Sequence, residues 1–122
     1  MCAMEIQKTT EQNAYSIKFT VENEGTLVAW AFLVVVTSAR HKEPFGLMEN
    51  VYVEQEYRGK GLGTQLVEAV IAEAKRLHCY KLIAQSRHGK PQLHAMYERF
   101  GFRDHGKNFR MDFEESGILQ RD

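Results

Sequence analysis

The residues of this sequence best suited to chemistry begin with Arg58-Gly59-Lys60-Gly61-Leu62-Gly63. Glycines permit tight backbone geometry and leave amides uncovered. Where such a run opens a helix, its amides join the helix's first unbonded N–H groups in a cradle for an anion. Arg58 and Lys60 add positive charge beside it, so a pyrophosphate is the natural guest. The alternative is a plain glycine turn, and the long helix that follows weighs against it. The spacing differs from the dinucleotide fingerprint GxGxxG and from the phosphate loop GxxxxGK[ST], which argues against hydride transfer and nucleotide hydrolysis. The five histidines lack the tight spacing of a metal site, and Cys2 and Cys79 cannot complete one, so no metal is expected.

The elements that must position this loop follow from hydrophobic period. Residues 15–22 partly alternate and predict a strand, closed by a turn at Asn23-Glu24-Gly25. Residues 26–37 are long, β-branched and apolar, and predict a central strand buried on both faces or at an interface. Residues 38–45 are polar and contain Pro44, which predicts a loop, and 46–53 predict a strand running into the glycine cluster. Leu62, Leu66, Val67, Val70, Ile71, Ala74 and Leu77 recur three or four apart, the mark of an amphipathic helix over 62–78. Residues 80–86 predict the next strand, and Arg87 to Lys90 a loop. Pro91 suits the first turn of a helix to about Phe100, with Gly101 as its C-terminal cap. Residues 5–8 are a possible first strand, and 102–104 with 107–113 a closing hairpin.

Composition sets the outer bounds. The 122 residues carry 16 basic and 16 acidic side chains, with 43% hydrophobic residues, which suits one globular domain over 1–122 with loose ends at 1–4 and 115–122. The neutral total hides a net charge of −4 over residues 1–57, +7 over 58–110 and −3 over 111–122. A basic middle favours a small anionic ligand, and no nucleic-acid-binding motif accompanies it. The longest near-apolar run, Leu27 to Val36, is half the length needed to cross a bilayer, so no membrane partner is expected. Two cysteines imply no disulfide framework, Cys79 reads as a buried thiol, and no signal peptide is evident, so the cytoplasm is the expected location.

The stretch from Arg58 to Gly63 resembles the acetyl-CoA-binding motif of the GCN5-related N-acetyltransferase family, [Gln/Arg]-x-x-Gly-x-[Gly/Ala]. Glu49 to Tyr57 before it is similar to the family's fourth strand and its lead-in. Met96-Tyr97-Glu98-Arg99-Phe100-Gly101-Phe102 resembles a second family block, Phe-Tyr-x-x-x-Gly-Phe, although Lys90, Leu93 and Met96 depart from its usual residues. The resemblance implies an α/β fold with a mixed, mostly antiparallel sheet and helices on its faces. It implies acetyl-CoA as co-substrate, with backbone groups of Val51 and Val53 pairing with the pantetheine arm. The pyrophosphate would receive amides of Arg58, Gly59, Lys60, Gly61, Leu62, Gly63 and Thr64. It also implies Tyr97 as the proton donor to the departing thiolate and Glu49 as the base that deprotonates a primary amine. Glu49 stands two and four residues before Val51 and Val53, which predicts a shared strand face. Gln92 to Tyr97 is similar to a form found among small-molecule acetyltransferases, which makes His94 a candidate substrate contact.

Typical members place two helices between their first two strands, and only Thr9 to Ala14 stands there in this sequence. The expected architecture therefore lacks these helices, leaving the acceptor site open or walled by a second subunit. The apolar strand Leu27 to Val36 favours a homodimer. The leading function is N-acetylation of a small-molecule amine by direct attack. The alternatives are a non-catalytic acyl-CoA-binding or regulatory module, and an enzyme acting on peptide or protein amines.

Overall fold

Strand β1 (Ala14–Asn23) passes into β2 (Thr26–Ser38) through Glu24-Gly25, whose φ angles of 52° and 81° match a two-residue hairpin turn that follows strand twist. A second tight turn at Ala39-Arg40 leads into β3 (His41–Val53). The 3-10 turn Gln55–Tyr57 and the glycine run follow, then helix α1 (Leu62–Arg76) and the short strand β4 (Leu82–Ala84). The strands lie in the order β1-β2-β3-β4, antiparallel from β1 to β3. Helix α2 (Pro91–Arg99) is the last element among the described residues. This computed structural model describes residues 4–85 and 91–114, in two compact units that divide between Ile83 and Ala84.

The core of the first unit lies between one sheet face and α1. Ala29, Ala31, Leu33 and Val35 of β2, with Val28 and with Met48 of β3, are buried beside Leu66, Val67, Val70 and Ala74 of α1. A Cβ added to Gly46 would lie 2.9 Å from Leu33 Cδ1 and 3.1 Å from Leu82 Cδ1, so glycine is what lets these leucines meet over β3. On the opposite face Trp30, Phe32, Val34 and Val36 are only half-buried. The uniform apolarity of β2 thus covers one fully buried face and one partly open one.

Four expectations are corrected. The segment 38–45 is not a loop, because β3 already starts at His41. Pro44 is tolerated where the register against β2 shifts between Val36 and Ser38, so its missing N–H breaks no regular ladder. Its carbonyl accepts from the Tyr80 amide at 2.9 Å, and the Tyr80 ring stacks on His41 with centroids 3.6 Å apart, which anchors the polar stretch. Of the strand expected over 80–86, only Leu82–Ala84 is strand among the described residues 80–85, and Ser86 lies outside them. Residues 5–8 form no strand, and 102–104 with 107–113 form no hairpin; both stretches are largely exposed. The two helices that the family resemblance sets before β1 have no counterpart among described residues 4–13.

Both helices end alike. Gly101, at φ 104°, donates to Glu98 O while Phe102 donates to Tyr97 O, the paired bonds that satisfy terminal carbonyls. At the end of α1 the same bonds run from His78 to Lys75 O and from Cys79 to Ala74 O, but His78 holds the left-handed position, at φ 61°. Cys79 is half-buried rather than buried, and burial pushes its thiol pKa up. The expected loop Arg87–Lys90, Cys2 and the tail 115–122 lie outside the described residues.

Candidate functional site

The glycine run is built as the sequence predicts. Gly59 and Gly61 have φ of 80° and 86°, and a Cβ on either would meet nothing within 4 Å, so backbone conformation rather than crowding demands glycine there. Gly61 is the N-cap of α1 and supplies no side-chain cap; the helix's first internal bond runs from Gln65 N to Gly61 O at 3.0 Å. The amides from Gly59 through Thr64, Lys60 and Leu62 included, have no acceptor among the described residues. Consecutive free amides at a helix N-terminus form a positive concavity fit for an anion. Gly63 differs from its neighbours, because an added Cβ would only touch Val53 Cγ2 at 3.9 Å.

The two cations beside the loop each rest on a neighbouring tyrosine ring. Arg58 Nε donates to the Val53 carbonyl at 2.8 Å, and its guanidinium lies 5.4 Å over the Tyr52 ring. Lys60 Nζ sits 5.5 Å over the Tyr57 ring. Arg58 therefore clips the loop to the end of β3, and the Val53 carbonyl is already engaged. Tyr57 is itself held by Asn23 Nδ2 at 3.0 Å, which ties the lead-in to the first hairpin.

Strand β3 carries a bulge that periodicity does not reveal. Trp30 pairs with Tyr52 and Phe32 with Glu49, so Asn50 and Val51 together stand opposite Ala31. Asn50 takes φ 53°, a left-handed position that asparagine accepts more readily than most residues. The extra residue reverses the alternation. Glu49 shares its face with Tyr52, Trp30 and Phe32, while Val53 pairs with buried Ala29 on the α1 face. The expected common face of Glu49 and Val53 is thus corrected. Val51 falls in the bulge, outside the paired register. Glu49 is exposed, and Trp30 and Tyr52 stack with centroids 4.9 Å apart.

Tyr97 and His94 belong to the second unit, on α2. Tyr97 is half-buried, its ring 5.4 Å from that of Phe102, and burial pushes its pKa up from the ordinary phenol value, which favours the protonated phenol. His94 is half-buried one helical turn away. Among the described residues no cluster of histidine, cysteine and carboxylate side chains could hold a metal. No helix among them is long and apolar enough to cross a membrane.

Sequence reasoning missed Asn50, whose left-handed tolerance was the available signal, and Lys18, which the strand register sets in line with Phe32 and Glu49.

Comparison with known proteins adds an independent finding. The model of the Acetyltransferase (GNAT) family matches residues 2–102. The glucosamine 6-phosphate N-acetyltransferase of Trypanosoma brucei brucei is 32% identical over 95 residues, which is 77% of this chain and 63% of that protein. An aminoglycoside N(6')-acetyltransferase type 1 of Stenotrophomonas maltophilia is 35% identical over 75 residues, 60% of this chain and 49% of its own length. The chain thus spans less than two thirds of either relative. The structure of glucosamine-6-phosphate N-acetyltransferase from Arabidopsis thaliana shares the fold at a TM-score of 0.72 and 24% identity, covering 81% of this chain and 67% of that one.

Proposed function

Since the chain belongs to the acetyltransferase (GNAT) family, we propose that it moves an acetyl group from acetyl-CoA to the primary amine of a small molecule. The observation that carries the reading is the run of free amides from Gly59 to Thr64 between β3 and α1. That cradle fits a pyrophosphate, and its openness leaves room for one. Residues 1–122 act as one catalytic domain in this reading, since the family match runs through both units.

Each residue then has a task. The loop amides hold the pyrophosphate, and Arg58 fixes the loop against Val53. Val51, released from the ladder by the bulge, offers backbone groups to the pantetheine arm and the thioester carbonyl. Glu49 takes a proton from the ammonium, because only the neutral amine has a lone pair for attack. The C–N bond forms, the nitrogen gives up its second proton to solvent, the C–S bond breaks, and Tyr97 protonates the leaving thiolate and regains its own proton from solvent. Its raised pKa keeps that proton available. Cys79 takes no part: its thiol lies against Gly46, five residues before Val51 along β3, about 16 Å of strand from where the thioester carbonyl would sit.

The names of the relatives favour small amines, amino sugars among them. A cytoplasmic setting belongs to the same reading, as does a homodimer. The dimer rests on the half-buried Val34 and Val36 of β2, which border the acceptor site, and on Phe109, Met111 and Phe113, which are 86%, 75% and 89% exposed. Light scattering at tens of micromolar should give twice the chain mass of 14.1 kDa; a value that stays near the chain mass removes the dimer. Initial rates with acetyl-CoA and amine both varied test the function. Intersecting lines support direct attack, parallel lines would place an acyl-enzyme on the path, and no amine-dependent rate would leave only a coenzyme-binding module.

A further inference from the structure

The strand register sets Lys18, Phe32 and Glu49 in one row across three strands, Lys18 opposite Phe32 and Phe32 opposite Glu49. Directly paired residues project to the same face of a sheet, so all three side chains emerge opposite α1. Lys18 and Glu49 are exposed and Phe32 is half-buried, with Lys18 Nζ 5.6 Å over its ring. Strands lie about 4.8 Å apart, so the cation and the carboxylate stand on backbones about 10 Å apart with an aromatic ring between them. The next row, Thr20, Trp30 and Tyr52, extends the aromatic floor through the stacked pair. Glu49 has no ion pair or hydrogen bond among the described residues, and Lys18 has no carboxylate partner there.

Opposite charges that make no ion pair with each other, at the two ends of an apolar strip, complement a ligand of reversed polarity. We propose that the acceptor is an amphoteric amine. Its ammonium group meets Glu49, its body lies on Phe32 and Trp30, and an anionic group such as a carboxylate or phosphate, a few bonds away, meets Lys18. A polyamine fits poorly, because its second cation would face Lys18. The proposal deepens the acetyltransferase reading and rests on it for the role of Glu49, but the binding preference can be measured without turnover.

The test uses matched amines with and without an anionic group: glucosamine 6-phosphate against glucosamine, and 4-aminobutyrate against butylamine. Binding is read by calorimetry with CoA present, and initial rates are read in parallel. The anionic member of each pair should bind about five- to tenfold more tightly, the scale of one charge-assisted contact at a partly exposed site. Lys18→Gln should erase that preference and Lys18→Glu should turn it toward 1,4-diaminobutane, both with acetyl-CoA affinity unchanged. A wild-type protein without the preference, or a preference that survives Lys18→Gln, overturns the proposal. Turnover of amines without any Lys18-dependent preference leaves the transferase standing and removes the amphoteric acceptor. Lys18-dependent binding without turnover does the reverse.

Discussion

Replacing Gly61 by valine separates what the loop does for folding from what it does for binding. Gly61 sits at φ 86° with nothing within 4 Å of an added Cβ, so the protein itself offers no clash. The folding cost is the left-handed strain alone, about 1–2 kcal/mol for a residue with a side chain and more for a β-branched one. The binding cost is of another kind. The new side chain stands over the amides of Gly59 to Thr64 and keeps a phosphate from closing on them. Losing one or two charge-assisted hydrogen bonds, at about 1.5–3 kcal/mol each, lowers affinity by a factor between about 10 and about 10⁴. Gly25 provides the control, because it has a similar φ of 81° and equally open surroundings in the β1–β2 turn. Gly25→Val should lower the melting temperature about as much as Gly61→Val while acetyl-CoA affinity stays at the wild-type value. Calorimetry and thermal melts on both variants decide. A folded Gly61→Val protein with unchanged acetyl-CoA affinity would falsify the assignment of the loop.

Tyr97→Phe should lower turnover by about 10²–10⁴-fold, the usual range for a general acid, with acetyl-CoA affinity nearly unchanged; rates within twofold of wild type would remove the role. Because burial pushes the Tyr97 pKa up from the ordinary phenol value, the group stays protonated throughout the neutral range, and any loss of rate from its ionisation should appear only on the alkaline limb of the rate–pH profile. Glu49→Gln should lower turnover by about 10²-fold or more while coenzyme binding persists, and a rate near wild type would pass the base role to water or to His94. His78→Gly should raise stability by about 1 kcal/mol by relieving the left-handed residue at the end of α1, measured by urea denaturation; no gain would mean that the His78 side chain compensates the strain.

The parts of the fold that read correctly from sequence were those with strong period or punctuation. The 3.6-residue recurrence from Leu62 to Leu77 gave α1, and Pro91 with Gly101 bracketed α2. Asn23-Glu24-Gly25 marked the first turn. What misled was a polar stretch held by tertiary contacts. His41 to Phe45 looks like a loop by composition, yet it extends β3 because Tyr80 stacks on His41 and bonds to Pro44. The alternating Phe109, Met111 and Phe113 have the period of a strand, but pairing requires a neighbouring edge that local pattern does not specify. The glycine loop was legible because φ near +80° leaves few residue choices. The direction of Arg58 was not, since its bond to the Val53 carbonyl depends on where β3 ends. The face of Glu49 was misread for a single reason. One inserted residue at Asn50 inverts a period of two, and only the pairing register exposes it.

The central claim is acetyl transfer to an amine, and the most direct measurement follows both products together. The protein is incubated with acetyl-CoA and a panel of amino sugars, amino acids, alkylamines, polyamines and peptides, and free CoA thiol and acetylated amine are quantified by mass spectrometry. The account predicts amine-dependent thiol release matched one for one by an N-acetyl product, best among small amines, and lost in Gly61→Val. Acetyl-CoA that binds tightly yet yields no acetylated product with any member of the panel would contradict it.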